Sequence, residues 1–242
     1  TDDAPVKRVE MHLHTKMSQM DGVTDANQLV KLMMQYGHDT VAVTDHGVVQ
    51  ALPEAYNASG KGSKIKLILG MEGYLVDDEK YPNFMELKLK QFKRHHIILL
   101  VKEDTSLDES IPKEERKYGR KNLYELISSS NIKTFKSRPI IPKSMLAKKR
   151  GGLIIGSACE QGEVYQAILN GADNDELLRI ADFYDYLEVQ PNGNNAFMIR
   201  SNKDIHENIK SEEDLININK RIISLADELG KPVVATGDVH FL

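Results

Sequence analysis

Cysteine is nearly absent from this chain, which has a single thiol, Cys159, in 242 residues. One thiol cannot close an internal disulfide, so nothing points to an oxidising compartment or a stapled scaffold. No apolar run reaches membrane-spanning length and no secretory pattern appears, which gives the expectation of a cytoplasmic protein with no membrane partner. Positive charge is not in excess either: 32 Lys and Arg against 36 Asp and Glu leave a formal net charge of -4. That argues against a domain holding nucleic acid mainly by bulk electrostatics, and any contact with DNA must be local. A glycine-rich phosphate turn is also missing after the first apolar run, where His12, Leu13 and His14 stand instead, so an open dinucleotide-binding sheet is disfavoured.

What remains is the composition of a soluble globular protein, 40% hydrophobic and 28% charged. The length suits one large α/β domain as readily as two small ones. Neither end reads as a biological terminus. Thr1 opens without Met, and Leu242 follows directly on Gly237, Asp238 and His240, so the expectation is a piece of something larger.

Seven short β-branched or aliphatic runs recur, at 9–13, 40–43, 65–69, 97–101, 153–155, 186–189 and 232–235. Helical spacing lies between most of them, as in Leu29, Val30, Met33 and Tyr36 after the N-cap candidate Asp25, and in Leu215, Ile218, Ile222 and Leu225. Strands and helices alternating in this way predict parallel strands covered by helices, and seven repeats point to a barrel. Residues 76–94, with Pro82, lack a clear helix start and are a candidate insertion point, while 103–121 read as an exposed excursion. Residues 133–150 carry Lys133, Lys136, Arg138, Lys143, Lys148, Lys149 and Arg150 and no acidic residue. They predict either a solvated helix and loop or a local phosphate contact.

The chemistry concentrates at predicted strand ends. His12 and His14, two apart on a strand, face the same side and can grip one divalent ion. Asp45 and His46 end the second strand, Glu72 the third, Cys159 the fifth, and Asp238 and His240 the seventh. His95 and His96 begin the fourth, and Glu188 lies in the sixth. In a parallel barrel the carboxyl ends share one rim, so these side chains would converge on one pocket. Imidazole and carboxylate donors suit Zn, Mn or Fe, with the thiolate pulling towards Zn, and clustered cations suit phosphoester hydrolysis. Single assignments stay open. Asp45 is a partner that fixes an imidazole tautomer or a turn cap; one of His95 and His96 faces the rim; Cys159 is a ligand or a small buried hydrophobe; Glu188 is a ligand, a supporting group or an interior carboxylate paired with a neighbour.

Several segments together carry a resemblance: Val9-Glu-Met-His-Leu-His-Thr, Met17-Ser-Gln-Met-Asp-Gly, Val43-Thr-Asp-His-Gly, Gly70-Met-Glu, Gly156-Ser-Ala-Cys-Glu-Gln-Gly-Glu, Tyr186-Leu-Glu-Val-Gln-Pro-Asn-Gly-Asn-Asn and Ala235-Thr-Gly-Asp-Val-His-Phe-Leu. Nearly end to end, the chain resembles the PHP (polymerase and histidinol phosphatase) domain of PolC-type bacterial DNA polymerase III alpha subunits. The resemblance implies a single PHP domain over 1–242, a distorted seven-stranded (β/α) barrel with up to three divalent metals at the carboxyl rim. One metal would take His12, His14, Glu72 and Asp238, a second Asp21, His46 and His240, and a third Glu72 with His96 and Cys159. Asp21 enters only through the resemblance, which also prefers His96 to His95 and leaves Asp45 as a supporting, candidate catalytic carboxylate.

The family's inserted proofreading exonuclease, expected within 76–94, is absent. The implied partners are DNA, the remaining polymerase domains and replisome subunits. The implied activity is 3′-to-5′ exonuclease or pyrophosphatase action, with a metal-stapled scaffold lacking turnover as the alternative.

Overall fold

The computed structural model describes residues 4–60, 65–105, 107–113 and 116–241. The chain divides into two compact units, one of Thr1–Arg94, Ile98–Ile154 and Val239–Leu242, the other of His95–Ile97 and Ile155–Asp238.

In the first unit the expected strand at 9–13 is not a continuous strand. Its backbone makes two isolated parallel bridges, Glu10 to Val41 and Leu13 to Val239. A side chain breaks the ladder: the Leu13 N–H donates to the Thr44 hydroxyl at 2.8 Å, while the Leu13 carbonyl accepts the Thr44 N–H at 2.9 Å. The segment thus changes partner halfway, and the His14 N–H goes to the Val239 carbonyl at 2.8 Å.

Helix α1 (Ala26–Gln35) starts after Asp25 as the spacing predicts, burying Ala26, Leu29 and Val30, although the Asp25 side chain makes no cap hydrogen bond. Strand β1 (Thr40–Val43) and helix α2 (Leu52–Ser59) follow, the helix with Pro53 in its first turn, where the missing N–H costs nothing. Strand β2 (Lys66–Val76) runs further than the 65–69 expected and places Glu72 within the strand. The apolar side chains of Leu13, Leu29, Val30, Val41, Val43 and Leu52 form one buried cluster. At roughly 1.5–3 kcal/mol for each such side chain fully buried, this packing outweighs the weak capping of α1.

Strand β3 (His95–Val101) begins at the histidine pair, and helix α3 (Gly119–Ile132) starts inside the 103–121 excursion, whose Asp104 and Tyr118 form an antiparallel bridge. Ser106, Glu114 and Glu115 of that excursion lie outside the described residues. The 133–150 run is a solvated helix only at its end, and strands replace the expected loop. It folds as strands β4 (Phe135–Lys136) and β5 (Arg138–Pro142) and helix α4 (Lys143–Lys148), with Ile140 and Ile141 fully buried.

Strand β6 (Leu153–Gly156) completes a sheet of order β4-β5-β2-β3-β6, with β1 also on β2. Parallel β1 matches Thr40–Val43 to the start of β2, and parallel β5 takes over near its end, Tyr74 opposite Ile140. Residues 76–94 pack their own cluster, with Phe84 and Phe92 edge to face at 5.9 Å.

The second unit holds helices α5 (Glu163–Leu169) and α6 (Asn174–Ala181), strand β7 (Leu187–Val189), the short helix α7 (Asn192–Asn195), helix α8 (Glu212–Leu229) and strand β8 (Val233–Ala235). Strands β7 and β8 pair in parallel. Helix α8 buries the predicted stripe of Leu215, Ile218, Ile222 and Leu225, and Ser211 and Asp214 close a capping box at its start. Among the described residues no helix is long and apolar enough to cross a membrane.

Candidate metal centre

Six of the nine expected ligands lie in the first unit. His12 and His14 are fully buried, their rings 5.2 Å apart. His46 stands just beyond β1 and bridges in parallel to Glu72 of β2. Asp21 comes from a turn in which its N–H bonds the Ser18 carbonyl at 3.0 Å. Gly22 closes that turn, and a Cβ there would sit 2.1 Å from the Thr15 carbonyl oxygen, so no other residue fits. His240 follows the bridged Val239.

The Glu72 carboxylate faces three imidazoles: Oε1 is 3.4 Å from His12 Nε2, and Oε2 is 3.3 Å from His14 Nε2 and 2.8 Å from His46 Nδ1. Asp21 Oδ2 lies 2.7 Å from His46 Nε2 and 3.2 Å from His240 Nε2. Burial would raise the Asp21 carboxyl, but His240 and His46 together hold it below the usual carboxylate range. His14, His46 and His240 each offer a ring nitrogen, all within 4.8 Å of one another. A nearly buried carboxylate ringed by imidazole nitrogens is a donor set that fits a divalent transition metal.

Behind the imidazoles lies a layer that sequence reasoning largely passed over. Asp45, almost fully buried, accepts the Thr15 N–H at 2.7 Å and the Ser18 hydroxyl at 2.7 Å on Oδ1, and the Thr15 hydroxyl at 2.8 Å on Oδ2. Ser18 has one proton, and the acceptor-only carboxylate takes it. The Ser18 oxygen must then accept from its other two neighbours, the His46 backbone N–H at 3.1 Å and His14 Nδ1 at 2.8 Å. His14 therefore carries its proton on Nδ1 and turns the Nε2 lone pair towards Glu72. Of the two readings open for Asp45, the geometry favours the tautomer-fixing one, exerted through Ser18 on His14. The signal available in the sequence was the pair of hydroxyl residues, Thr15 and Ser18, directly after the second histidine.

At the edge of this cluster the Tyr74 ring stacks on His46 at 5.8 Å. Burial pushes the Tyr74 hydroxyl up to about 12, with Arg138 pulling it down, Glu72 and Asp21 pushing it up and Arg94 pulling it down.

The second unit holds the other three expected ligands. His96 bridges to Gly162, and its Nδ1 is 3.5 Å from the buried Cys159 sulfur. Cys159, Glu160 and Asp238 offer ligand atoms within 4.8 Å of one another, and Asp238 holds a positive φ of 49°. Glu188, left open by the sequence, is an interior carboxylate paired with neighbours: Oε1 accepts Gln190 Nε2 at 2.9 Å and the Thr236 hydroxyl at 2.6 Å.

Residues 10–192 match the family model described as PHP domain. Among curated proteins, the chain is 29% identical to a DNA polymerase III PolC-type of Clostridium perfringens, covering all of this chain and 28% of that protein. It is 29% identical to one of Caldanaerobacter subterraneus subsp. tengcongensis, over 95% of this chain and 29% of the relative. The chain thus spans less than a third of these relatives' length. The first alignment extends over 431 residues although this chain has 242, so the relative carries further residues inside the matched region.

Two solved structures share the fold. One, from Bifidobacterium adolescentis and proposed to be a metal-dependent phosphoesterase, has a TM-score of 0.53 at 18% identity, covering 98% of this chain and 89% of its own. The other, an amidohydrolase from Chromobacterium violaceum with bound sulfate, has a TM-score of 0.52 at 13% identity, covering 97% and 88%.

Proposed function

Because the chain belongs to the PHP domain family, we propose that it is a metal-dependent phosphoesterase module of a PolC-type DNA polymerase III. The observation carrying this reading is the Glu72 carboxylate facing His12, His14 and His46 at 2.8–3.4 Å within a buried cluster. In the first unit His12, His14, Asp21, His46, Glu72 and His240 would furnish ligands, and in the second unit His96, Cys159 and Asp238. Up to three ions of Zn, Mn or Fe match these donors. When bound, such ions polarise a phosphoryl group and activate water near neutral pH.

The protein's own part is orientation. Asp45 and Ser18 hold His14 in the tautomer that presents Nε2, and Glu72 and Asp21 hold His46 between them. Asp45 is therefore assigned as a positioning carboxylate. Family membership also supports the distorted seven-stranded barrel for the α/β fold, as part of the same proposal. DNA, the remaining polymerase domains and replisome subunits are the proposed partners in the cytoplasm. The proposed place for an inserted exonuclease is 76–94, in keeping with the longer matched region of the relatives.

The test is to strip the chain of metal, reload it with Zn, Mn or Fe, and assay a single-stranded DNA 3′ end, pyrophosphate and a generic phosphodiester. Cleavage that returns with metal is the expected result. Loss of thermal stability on chelation, with no substrate cleaved under any metal, would replace the catalytic reading by a structural one.

A further inference from the structure

The basic run at 133–150 is sorted by the structure into residues with different tasks. Lys136 is committed to the carbonyls of Phe84 and Met85, and Lys149 to Glu125. Arg138 differs. It is exposed, among the described residues it has no carboxylate partner, and its guanidinium lies 5.8 Å over the Tyr74 ring that stacks on His46.

Its place follows from strand geometry. Tyr74 pairs with Ile140, so continuing the parallel register back two residues sets Arg138 level with Glu72. Gly47, directly after His46, has a positive φ of 68°, and a Cβ there would stand 2.6 Å from Pro139 Cγ. The absence of a side chain at Gly47 is what lets the start of β5 lie against the His46 turn. Arg94 reaches the same corner, with Nη1 donating to the Ser137 hydroxyl at 3.2 Å, and among the described residues it too lacks a carboxylate partner. Two guanidinium groups that lack acidic partners among the described residues and meet at one corner, in a chain of net charge -4, form a local concentration of donors beside the histidine–carboxylate cluster.

We propose that Arg138 and Arg94 form a phosphate-binding subsite next to the histidine–carboxylate cluster, taking the anionic oxygens of a phosphoester. Guanidinium groups offer only donors and phosphate oxygens only acceptors, so the match is chemical as well as electrostatic. The subsite rests on the phosphoesterase reading for its purpose but not for its binding. The acceptor is either the backbone of a polynucleotide or a free or terminal phosphate.

The experiment is calorimetric titration of inorganic phosphate, and separately of a thymidine dinucleotide phosphodiester, into the chain stripped of metal and reloaded with zinc. Arg138→Ala and Arg94→Ala should each weaken binding about tenfold, the scale of one charge-assisted hydrogen bond, with zinc content unchanged. Arg138→Lys, which keeps the charge and loses the planar fork, should fall between wild type and Arg138→Ala. Lys148→Ala, an exposed member of the same basic run, should bind as wild type does. Tighter binding of the dinucleotide assigns the subsite to a polynucleotide backbone, and tighter binding of inorganic phosphate assigns it to a free or terminal phosphate.

Absence of binding by wild type, equal affinities across all variants, or an equal loss in Lys148→Ala would overturn the subsite. Thermal melts identify a variant that fails to fold, and Arg94→Ala, outside β5, then decides alone. Because binding needs no turnover, a chain that binds phosphate through Arg138 yet cleaves nothing overturns the phosphoesterase reading and leaves the subsite standing.

Discussion

The two candidate ligand groups differ in donor chemistry and in how firmly their atoms are held. In the first unit the candidate ligand atoms among the described residues are imidazole nitrogens and carboxylate oxygens, and His14 is fixed by a hydrogen-bond chain in which its Nδ1–H donates to Ser18 and Ser18 donates to Asp45. In the second unit a thiol stands beside an imidazole at 3.5 Å, and Glu160 and Asp238 add carboxylates. Hard oxygen with imidazole accepts several first-row metals, whereas a thiolate narrows the choice towards zinc. One chain therefore presents a prearranged, permissive set and a softer, more selective one.

The largest effect expected to test this contrast is at His46, which joins Glu72 to Asp21. On the proposed phosphoesterase reading, His46→Ala should lower the rate by about a hundredfold or more and lower the metal retained by the reloaded chain, read by elemental analysis beside a rate assay. Retained metal and rate would remove the special standing of the first cluster.

Ser18→Ala comes next. With the acceptor of the His14 Nδ1–H gone, metal affinity should drop roughly 10–100-fold, and nitrogen-15 spectra of labelled histidine should show His14 losing its single tautomer. Ser18→Thr, which restores the hydroxyl, should recover both.

Cys159→Ser sharpens the comparison from the other side. Zinc retention should fall while manganese retention changes little, and the His14 tautomer signal should stay as it is. Equal losses of both metals would mean that the thiol confers no selectivity.

Smaller still is Thr236→Val, which removes one donor from the buried Glu188 carboxylate. It should cost about 1–3 kcal/mol in urea unfolding without altering metal content.

The smallest effect concerns acid. At the start of α8 the Lys210 N–H, the Ser211 hydroxyl and the Ser211 N–H hold the Asp214 carboxyl below the usual carboxylate range. A carboxyl depressed in the folded state stabilises above its unfolded value and loses that contribution as pH falls through its folded value. Wild type should therefore lose slightly more stability than Asp214→Asn between about pH 5 and pH 2, measured by thermal melts across that range.

Much of the fold was legible because local rules and burial agree. The apolar stripe of α8 and the start of β3 at His95 stand where spacing places them. Strand β5 was hidden for a physical reason. Arg138, Pro139 and Pro142 read as polar or strand-breaking, yet Pro139 packs against Gly47, and the short pairing with β2 needs few N–H donors. The segment at 9–13 was misread in the opposite sense. Its alternation is that of a strand, but the Thr44 hydroxyl takes the Leu13 N–H and interrupts the ladder.

By itself the sequence determined the kinds of donor available and their family: histidine pairs, carboxylates and one thiol, in segments specific enough to identify a PHP domain. Those are properties of residue type and spacing, which survive without coordinates. Only the tertiary structure decided which atoms face which. Glu72 meets His46 because β1 and β2 align in register, it meets His12 and His14 where the segment carrying them bridges to Val41 and Val239, and Ser18 meets Asp45 because the turn closed by Gly22 folds back on it. Arg138 stands by Tyr74 because β5 takes up the end of β2. Proton positions and long-range contacts depend on distances of a few ångströms between residues far apart in the chain, and no local spacing encodes them.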